Sequence, residues 1–159
     1  MGKVLIVYFS ETGTVEQMAN YIAEGVRIAG HEADLRRVSL MNTQIDLAGY
    51  DGYIFGCPVY HLDLPEPFKN FLTTAAMREL EGKAGGAFSS RAHPSSGSEG
   101  TASKLFQIME SRFRMRMTKL GPFDLDPGIF ESMQELMGRA ETIRTCQDYG
   151  KALGEMLRS

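Results

Sequence analysis

The amino-acid sequence predicts an α/β protein in which helices cover both faces of a parallel sheet. Residues 4–9 form the uninterrupted apolar run Val-Leu-Ile-Val-Tyr-Phe, which is typical of a strand buried on both faces. From Val15 onward, apolar residues recur at helical spacing until Gly30, which predicts a helix and its end. Short apolar runs then alternate with helical segments, and this alternation indicates parallel β-α-β units.

The remaining predicted elements follow the same alternation. Strands are predicted at 33–38, 52–57, 84–88 and 117–120, helices at 65–72, 101–113 and 139–157, and loops at 89–100 and 121–128. The sequence Pro-Glu-Pro at 65–67 suits the first turn of its helix. Right-handed crossovers leave few topologies for five parallel strands. One of them is the doubly wound order 2-1-3-4-5, which forms a binding crevice at the carboxyl ends of strands 1 and 3.

Composition narrows the class of protein. The 159 residues are enough for one well-buried core, so we expect a single domain over 1–159. The net charge of −3 gives no basic footprint for nucleic acid, and no apolar run approaches the roughly 18 residues of a membrane span. The first apolar run is too short for a signal peptide, so we expect a cytoplasmic protein. Cys57 and Cys146 match no metal or disulfide spacing, and we expect reduced, partly buried thiols.

An anion site is predicted where the first strand meets the first helix, in the segment Ser10-Glu11-Thr12-Gly13-Thr14. Backbone N–H groups converge at a helix N-terminus, and the helix dipole favours negative charge there. Three hydroxyl side chains add donors, and a glycine allows close approach. The segment contains neither the GK[ST] of nucleoside triphosphate loops nor the GxGxxG of dinucleotide sites. A terminal phosphomonoester fits this turn, and an ordinary helix cap is the alternative.

Three segments together resemble a known family. VLIVYFSETGTVEQMANYI, at 4–22, resembles the flavodoxin signature. GCPVYHLDLPEPFKNFL, at 56–72, is similar to the second flavin loop of the multimeric flavodoxin-like quinone and FMN reductases that use NAD(P)H. GKAGGAFSS, at 82–90, resembles their fourth strand, and Ser-Gly-Ser-Glu at 96–99 stands at their Gly-Gly-x-Glu turn. The resemblance implies a flavodoxin-like fold, FMN as cofactor, and a role in electron transfer or oxidoreduction.

The same resemblance implies which residues bind FMN, and it implies neither a catalytic residue nor a metal ligand. The phosphate turn is Ser10, Glu11, Thr12, Gly13, Thr14 and Val15; one side of the flavin is lined by Pro58, Val59, Tyr60 and His61; the other side is lined by Ser89, Ser90, Arg91 and His93, with Gly97 in the turn that follows. Val15 replaces the last threonine of the signature, and losing that hydroxyl costs about 1 kcal/mol of binding. His61 stands where electron-transfer flavodoxins often have glycine. Histidine in place of glycine favours reductase-like two-electron chemistry.

Three functional hypotheses remain open on this evidence. The first is a reductase-like FMN oxidoreductase with a small-molecule redox partner. The second is a one-electron flavodoxin that docks on a protein redox partner. The third is a binding module that keeps the fold and has lost FMN. The methionines of the C-terminal third either fill core gaps or form a surface for homo-oligomers.

Overall fold

The computed structural model describes residues 2–10, 13–58, 64–75, 80–90, 101–125 and 138–157. Over these residues the chain forms six strands and four helices. In chain order they are β1 (Lys3–Tyr8), α1 (Thr14–Ile28), β2 (Glu32–Arg37), β3 (Gly52–Pro58), α2 (Glu66–Ala75), β4 (Ala84–Ser90), α3 (Thr101–Ser111), β5 (Arg116–Met117), β6 (Phe123–Leu125) and α4 (Ala140–Met156).

The sheet is parallel throughout its described pairs, in the order β2-β1-β3-β4-β5, with β6 also pairing β4. The predicted doubly wound α/β order is therefore confirmed. The register of the strands determines which residues lie side by side at the candidate site. Tyr8 at the end of β1 lies opposite Arg37, and Pro58 at the end of β3 lies opposite Ser90. The loops that leave β1, β3 and β4 consequently start from one edge of the sheet.

The last strand differs from its prediction. A single strand was expected at 117–120, whereas β5 ends at Met117 and β6 lies within the predicted loop at 121–128. The two short strands pair with opposite ends of β4, and the gap between them is filled by Tyr149 of α4. The hydroxyl oxygen of Tyr149 lies 3.1 Å from both the backbone N and the backbone O of Ala87. The side chain of Tyr149, which is distant in sequence, thus bonds β4 between β5 and β6, and no local sequence pattern predicts this contact.

Two apolar clusters cover the two faces of the sheet. Leu5, Val7 and Phe9 belong to the cluster that includes residues of α2 and α3, whereas the alternate residues of β1 belong to the cluster that includes residues of α1 and α4. This burial on both faces explains why β1 has no polar alternation. Cys57 and Cys146 are free thiols, and both are fully buried rather than partly buried as expected. Burial raises the pKa of Cys146 to about 12.

Helices α1 and α4 cross at two glycines. A Cβ on Gly25 would lie 1.8 Å from the backbone oxygen of Gln147, and a Cβ on Gly150 would lie 1.9 Å from that of Ile22. No side chain fits at either position, so the two backbones are in direct contact. This contact fixes α1, and therefore the turn at its N-terminus, against the C-terminal helix. None of the helices that the structure describes is long and apolar enough to cross a membrane.

Candidate functional site

The turn between β1 and α1 presents uncapped backbone N–H groups. Gly13 is the N-cap of α1 and adopts a left-handed conformation with φ 91° and ψ −13°. Its own N–H donates to Oγ of Ser10 at 3.0 Å, but none of the described side chains caps the helix. No described atom lies within 4 Å of where a Cβ on Gly13 would be, so the approach to this point is open. The N–H groups of the first turn of α1, including those of Thr14 and Val15, therefore suit an anion.

Arg37 supports this turn from the neighbouring strand. Its Nη2 donates to the backbone oxygen of Ser10 at 2.7 Å, across 27 positions of sequence. The side chain of Ser10 is almost fully buried, with 4% of its surface exposed. A charged donor on a carbonyl gives a stronger hydrogen bond than a neutral donor. Arg37 thus fixes the start of the turn and brings a positive charge beside it.

Glu16 brings a negative charge to the first turn of α1. The hydroxyl of Tyr8 donates to Oε1 of Glu16 at 2.8 Å. Burial raises the pKa of Tyr8 to about 12, with further contributions from the hydrogen bond and the charge of Glu16, while the charge of Arg37 acts in the opposite direction. Glu16 and Arg37 therefore bring opposite charges to this region. With the two charges offsetting each other, an anion here depends on the backbone N–H groups and on an intact Arg37.

Val15 contributes to the core more than to the surface of the turn. Its side chain is 2% exposed and packs in the cluster that includes Met18 and Ala19. What position 15 offers an anion is its backbone N–H at the helix N-terminus. The fold therefore uses this valine to seat α1 on the sheet.

The second and third loops begin beside each other. Pro58 is half-buried at the end of β3, and Ser90, its partner in register, is 6% exposed at the end of β4. The hydroxyl of Ser89 donates to Oδ1 of Asp124 at 2.8 Å and accepts from the backbone N–H of Ala102 at 3.2 Å. Ser89 is fully buried and ties β6 to the start of α3. Its hydroxyl is thus used by the fold at the rim of the crevice.

The structure brings part of the expected site together. Ser10, Gly13 and Thr14 lie at the first turn, and Pro58 and Ser90 start the other two loops. The remaining expected residues lie outside the described part of the chain: Glu11, Thr12, Val59, Tyr60, His61, Arg91, His93 and Gly97.

The sequence analysis missed two charged residues at this edge, Arg37 and Asp124. Arg37 ends a strand that carries two consecutive arginines, and only the register of β2 against β1 brings one of them to the turn. Asp124 lies in the short β6, which was expected to be loop. The parallel pairing of strands 1 and 2, once predicted, is the signal that could have found Arg37.

The doubly wound parallel sheet with the order 2-1-3-4-5 is a flavodoxin-like fold. The family described as "Flavodoxin domain" matches residues 5–120, and the chain belongs to this family. This membership confirms the resemblance to flavodoxins. It also confirms the expectation of a flavodoxin-family protein with an oxidoreductase-like function.

Known proteins similar to the chain agree with this membership. A relative from Rhodopseudomonas palustris (strain TIE-1), named NAD(P)H dehydrogenase (quinone), is 34% identical to this chain, and the match covers 76% of this chain and 71% of the relative. A solved flavodoxin from the domain Archaea superposes with a TM-score of 0.75 at 18% identity and covers 99% of both chains. A flavodoxin, WrbA-like protein from Agrobacterium tumefaciens gives a TM-score of 0.74 at 18% identity, covering 99% of this chain and 98% of its own. The two structures support the fold.

Proposed function

We propose that this protein binds FMN and acts as an NAD(P)H-dependent quinone reductase. The observation that carries the proposal is the open turn at Gly13, where no described side chain caps the N-terminus of α1 and Arg37 fixes the preceding carbonyl. A phosphomonoester offers the charge and the acceptor oxygens that such a turn lacks. FMN is the flavin that ends in this group, and the flavodoxin family supplies the flavin expectation.

Each described residue of the site has a binding or positioning role in this proposal. The N–H groups of Thr14 and Val15 donate to the phosphate, and Ser10 orients Gly13 through the 3.0 Å hydrogen bond to its hydroxyl. Pro58 and Ser90 border the crevice in which the flavin ring would lie. When bound, FMN supplies the redox chemistry, and the protein supplies the geometry and the electrostatic environment.

The quinone substrate is inferred from the curated relatives. Those at 34–35% identity carry the name NAD(P)H dehydrogenase (quinone). In the overall reaction NAD(P)H gives a hydride, the solvent gives one proton, and the quinone is reduced to the hydroquinone. Both substrates are small molecules, which agrees with the first of the three hypotheses above.

Steady-state kinetics of the FMN-loaded protein tests the proposal. NADH and NADPH oxidation would be followed at 340 nm with and without 1,4-benzoquinone. We expect oxidation that requires both FMN and quinone. A protein that binds FMN and shows no quinone-dependent oxidation would instead support the carrier hypothesis. A protein that takes up no FMN at all would support the binding-module hypothesis.

A matched pair of glycine variants tests the role of the turn. Gly13 and Gly49 both have φ of +91°, and no described atom lies within 4 Å of a Cβ at either position. Alanine at either site therefore costs about 1–2 kcal/mol of backbone strain without a clash. Both variants should lose similar stability in urea denaturation, and only Gly13→Ala should also lose FMN affinity. Equal FMN affinity in the two variants would refute the proposed role of the turn. A cytoplasmic location stays a prediction from the sequence, and a homo-oligomer stays one of the two alternatives given above for the methionines.

A further inference from the structure

Glu16 stands where a glutamate can cap its own helix, and it does not do so. It is the third residue of α1, after the N-cap Gly13. A glutamate at this position commonly folds back and accepts a hydrogen bond from the backbone N–H of the N-cap. Here that N–H donates to Oγ of Ser10 at 3.0 Å, and Oε1 of Glu16 accepts from the hydroxyl of Tyr8 at 2.8 Å. The carboxylate is therefore held by β1 and leaves the N-terminus of its helix open.

The side chain of Tyr8 is well suited to hold this carboxylate. It is 7% exposed and belongs to the apolar cluster that includes Val15 and Met18 of α1. Because packing fixes the ring, its hydroxyl has a defined position at the carboxyl end of β1. Burial raises the pKa of Tyr8 to about 12, so the hydroxyl keeps its proton and stays a donor at neutral pH. Phenylalanine at this position would keep the ring and remove only the donor.

We propose that Tyr8 is a positioning residue of the anion site, which keeps the carboxylate of Glu16 from occupying the turn at Gly13 in place of a bound anion. This role rests on the proposed function, in which that anion is the FMN phosphate. Backbone N–H groups and the helix dipole attract a carboxylate as they attract a phosphate. Glu16 is thus a competitor that the chain itself carries. Without the hydroxyl of Tyr8, its side chain would turn back toward Gly13 and bring a negative charge to the place of the phosphate.

Dissociation constants for FMN and riboflavin test this role in the full chain. Tyr8→Phe should weaken FMN binding about two- to fivefold, which corresponds to the stabilisation of a carboxylate at a helix N-terminus, and should leave riboflavin binding unchanged. Alanine at position 16 removes the competitor, so Tyr8→Phe/Glu16→Ala should bind FMN at least as tightly as the unmodified protein. Unchanged FMN affinity in Tyr8→Phe, or a double variant that binds FMN as weakly as Tyr8→Phe, would overturn the proposal.

The matched control removes a second tyrosine hydroxyl that donates to a carboxylate. The hydroxyl of Tyr50 donates to Oδ2 of Asp34 at 2.7 Å. Tyr50 precedes β3, so it lies at the opposite edge of the sheet from the turn at Gly13. Tyr50→Phe should bind FMN with unchanged affinity. If it lost as much affinity as Tyr8→Phe, the loss would not come from the release of Glu16, and the proposal would fail.

Amide chemical shifts in the absence of flavin separate this proposal from the FMN proposal. In an acid titration, the amide signal of Gly13 should respond to protonation of Glu16 more strongly in Tyr8→Phe than in the unmodified protein. Tyr8→Phe/Glu16→Ala should lose this response, and Arg37, the other charge that acts on Tyr8, stays protonated throughout. An equal response in Tyr8→Phe and the unmodified protein would overturn the role of Tyr8. The expected response in a protein that takes up no FMN would support this role and refute the FMN proposal alone.

Discussion

Replacing Arg37 by glutamine should weaken the binding of FMN and leave the binding of riboflavin almost unchanged. Riboflavin lacks the phosphate, so the pair of ligands isolates what Arg37 contributes at the turn. The guanidinium donates to the backbone oxygen of Ser10 at 2.7 Å, directly before the residues whose N–H groups would donate to the phosphate in the proposed complex. It also brings to this region a positive charge that acts on the pKa of Tyr8 in the direction opposite to the carboxylate of Glu16. Both effects favour a bound anion, and both are lost in Arg37→Gln.

The magnitude follows from the kind of hydrogen bond. A hydrogen bond to a charged group contributes about 1.5–3 kcal/mol, and the lower value applies because this one is only partly buried. A loss of about 1.5 kcal/mol corresponds to roughly tenfold in the dissociation constant. The uncompensated charge of Glu16 acts in the same direction. We therefore expect FMN affinity to fall by up to about tenfold, and Arg37→Lys to restore part of it because the charge remains.

Quenching of flavin fluorescence gives both dissociation constants under identical conditions. Arg36→Gln is the matched control, because Arg36 precedes Arg37 on the same strand, is exposed, and donates to the backbone oxygen of Leu35. This control should bind FMN within twofold of the unmodified protein. If Arg37→Gln weakened FMN and riboflavin equally, the residue would act only through overall stability. Unchanged FMN affinity would refute the reasoning outright.

Three further substitutions test the packing that positions the site, each by urea denaturation. Gly150→Ala should cost about 3 kcal/mol, because the added carbon would lie 1.9 Å from a carbonyl oxygen of α1, whereas Lys151→Ala on the exposed side should be near neutral. Tyr149→Phe should cost about 1–3 kcal/mol and speed amide exchange at Ala87, whose buried N–H loses its partner; unchanged exchange would contradict the bridging role. Arg114→Gly should stabilise the protein by up to about 1 kcal/mol, because φ at this position is +53°, and a loss of stability would show that the arginine side chain matters more than the backbone.

The order of the sheet could be predicted because each of its central strands is buried on both faces. The apolar run at 4–9, the small residues at 84–88 and the helical spacing after Val15 all reflect local burial, which the sequence shows directly. The fifth strand could not be placed correctly. Its two pieces depend on pairing with β4 and on the hydroxyl of Tyr149, which is a contact across 62 positions of sequence.

The candidate site, like the sheet, could be predicted only where residue type and local spacing determine a residue's role. Residues such as Ser10 and Gly13 carry their role in their type and local spacing, so the turn could be recognised. Arg37 and Asp124 act through strand register, and their roles appear only once the strands are paired. Ser89 was expected at the flavin, and the structure shows its hydroxyl bonded on both sides within the fold. Residue type alone does not distinguish a ligand contact from a buried structural bond.

Backbone amide chemical shifts test whether the N–H groups of the turn at Gly13 bind the FMN phosphate. A ¹H–¹⁵N correlation spectrum of the labelled protein would be recorded alone, with FMN and with riboflavin. We expect the amide signals of Gly13, Thr14 and Val15 to move strongly with FMN and much less with riboflavin, because only FMN brings a phosphate to these N–H groups. FMN binding that leaves these three signals in place would show that the phosphate does not bind at this turn.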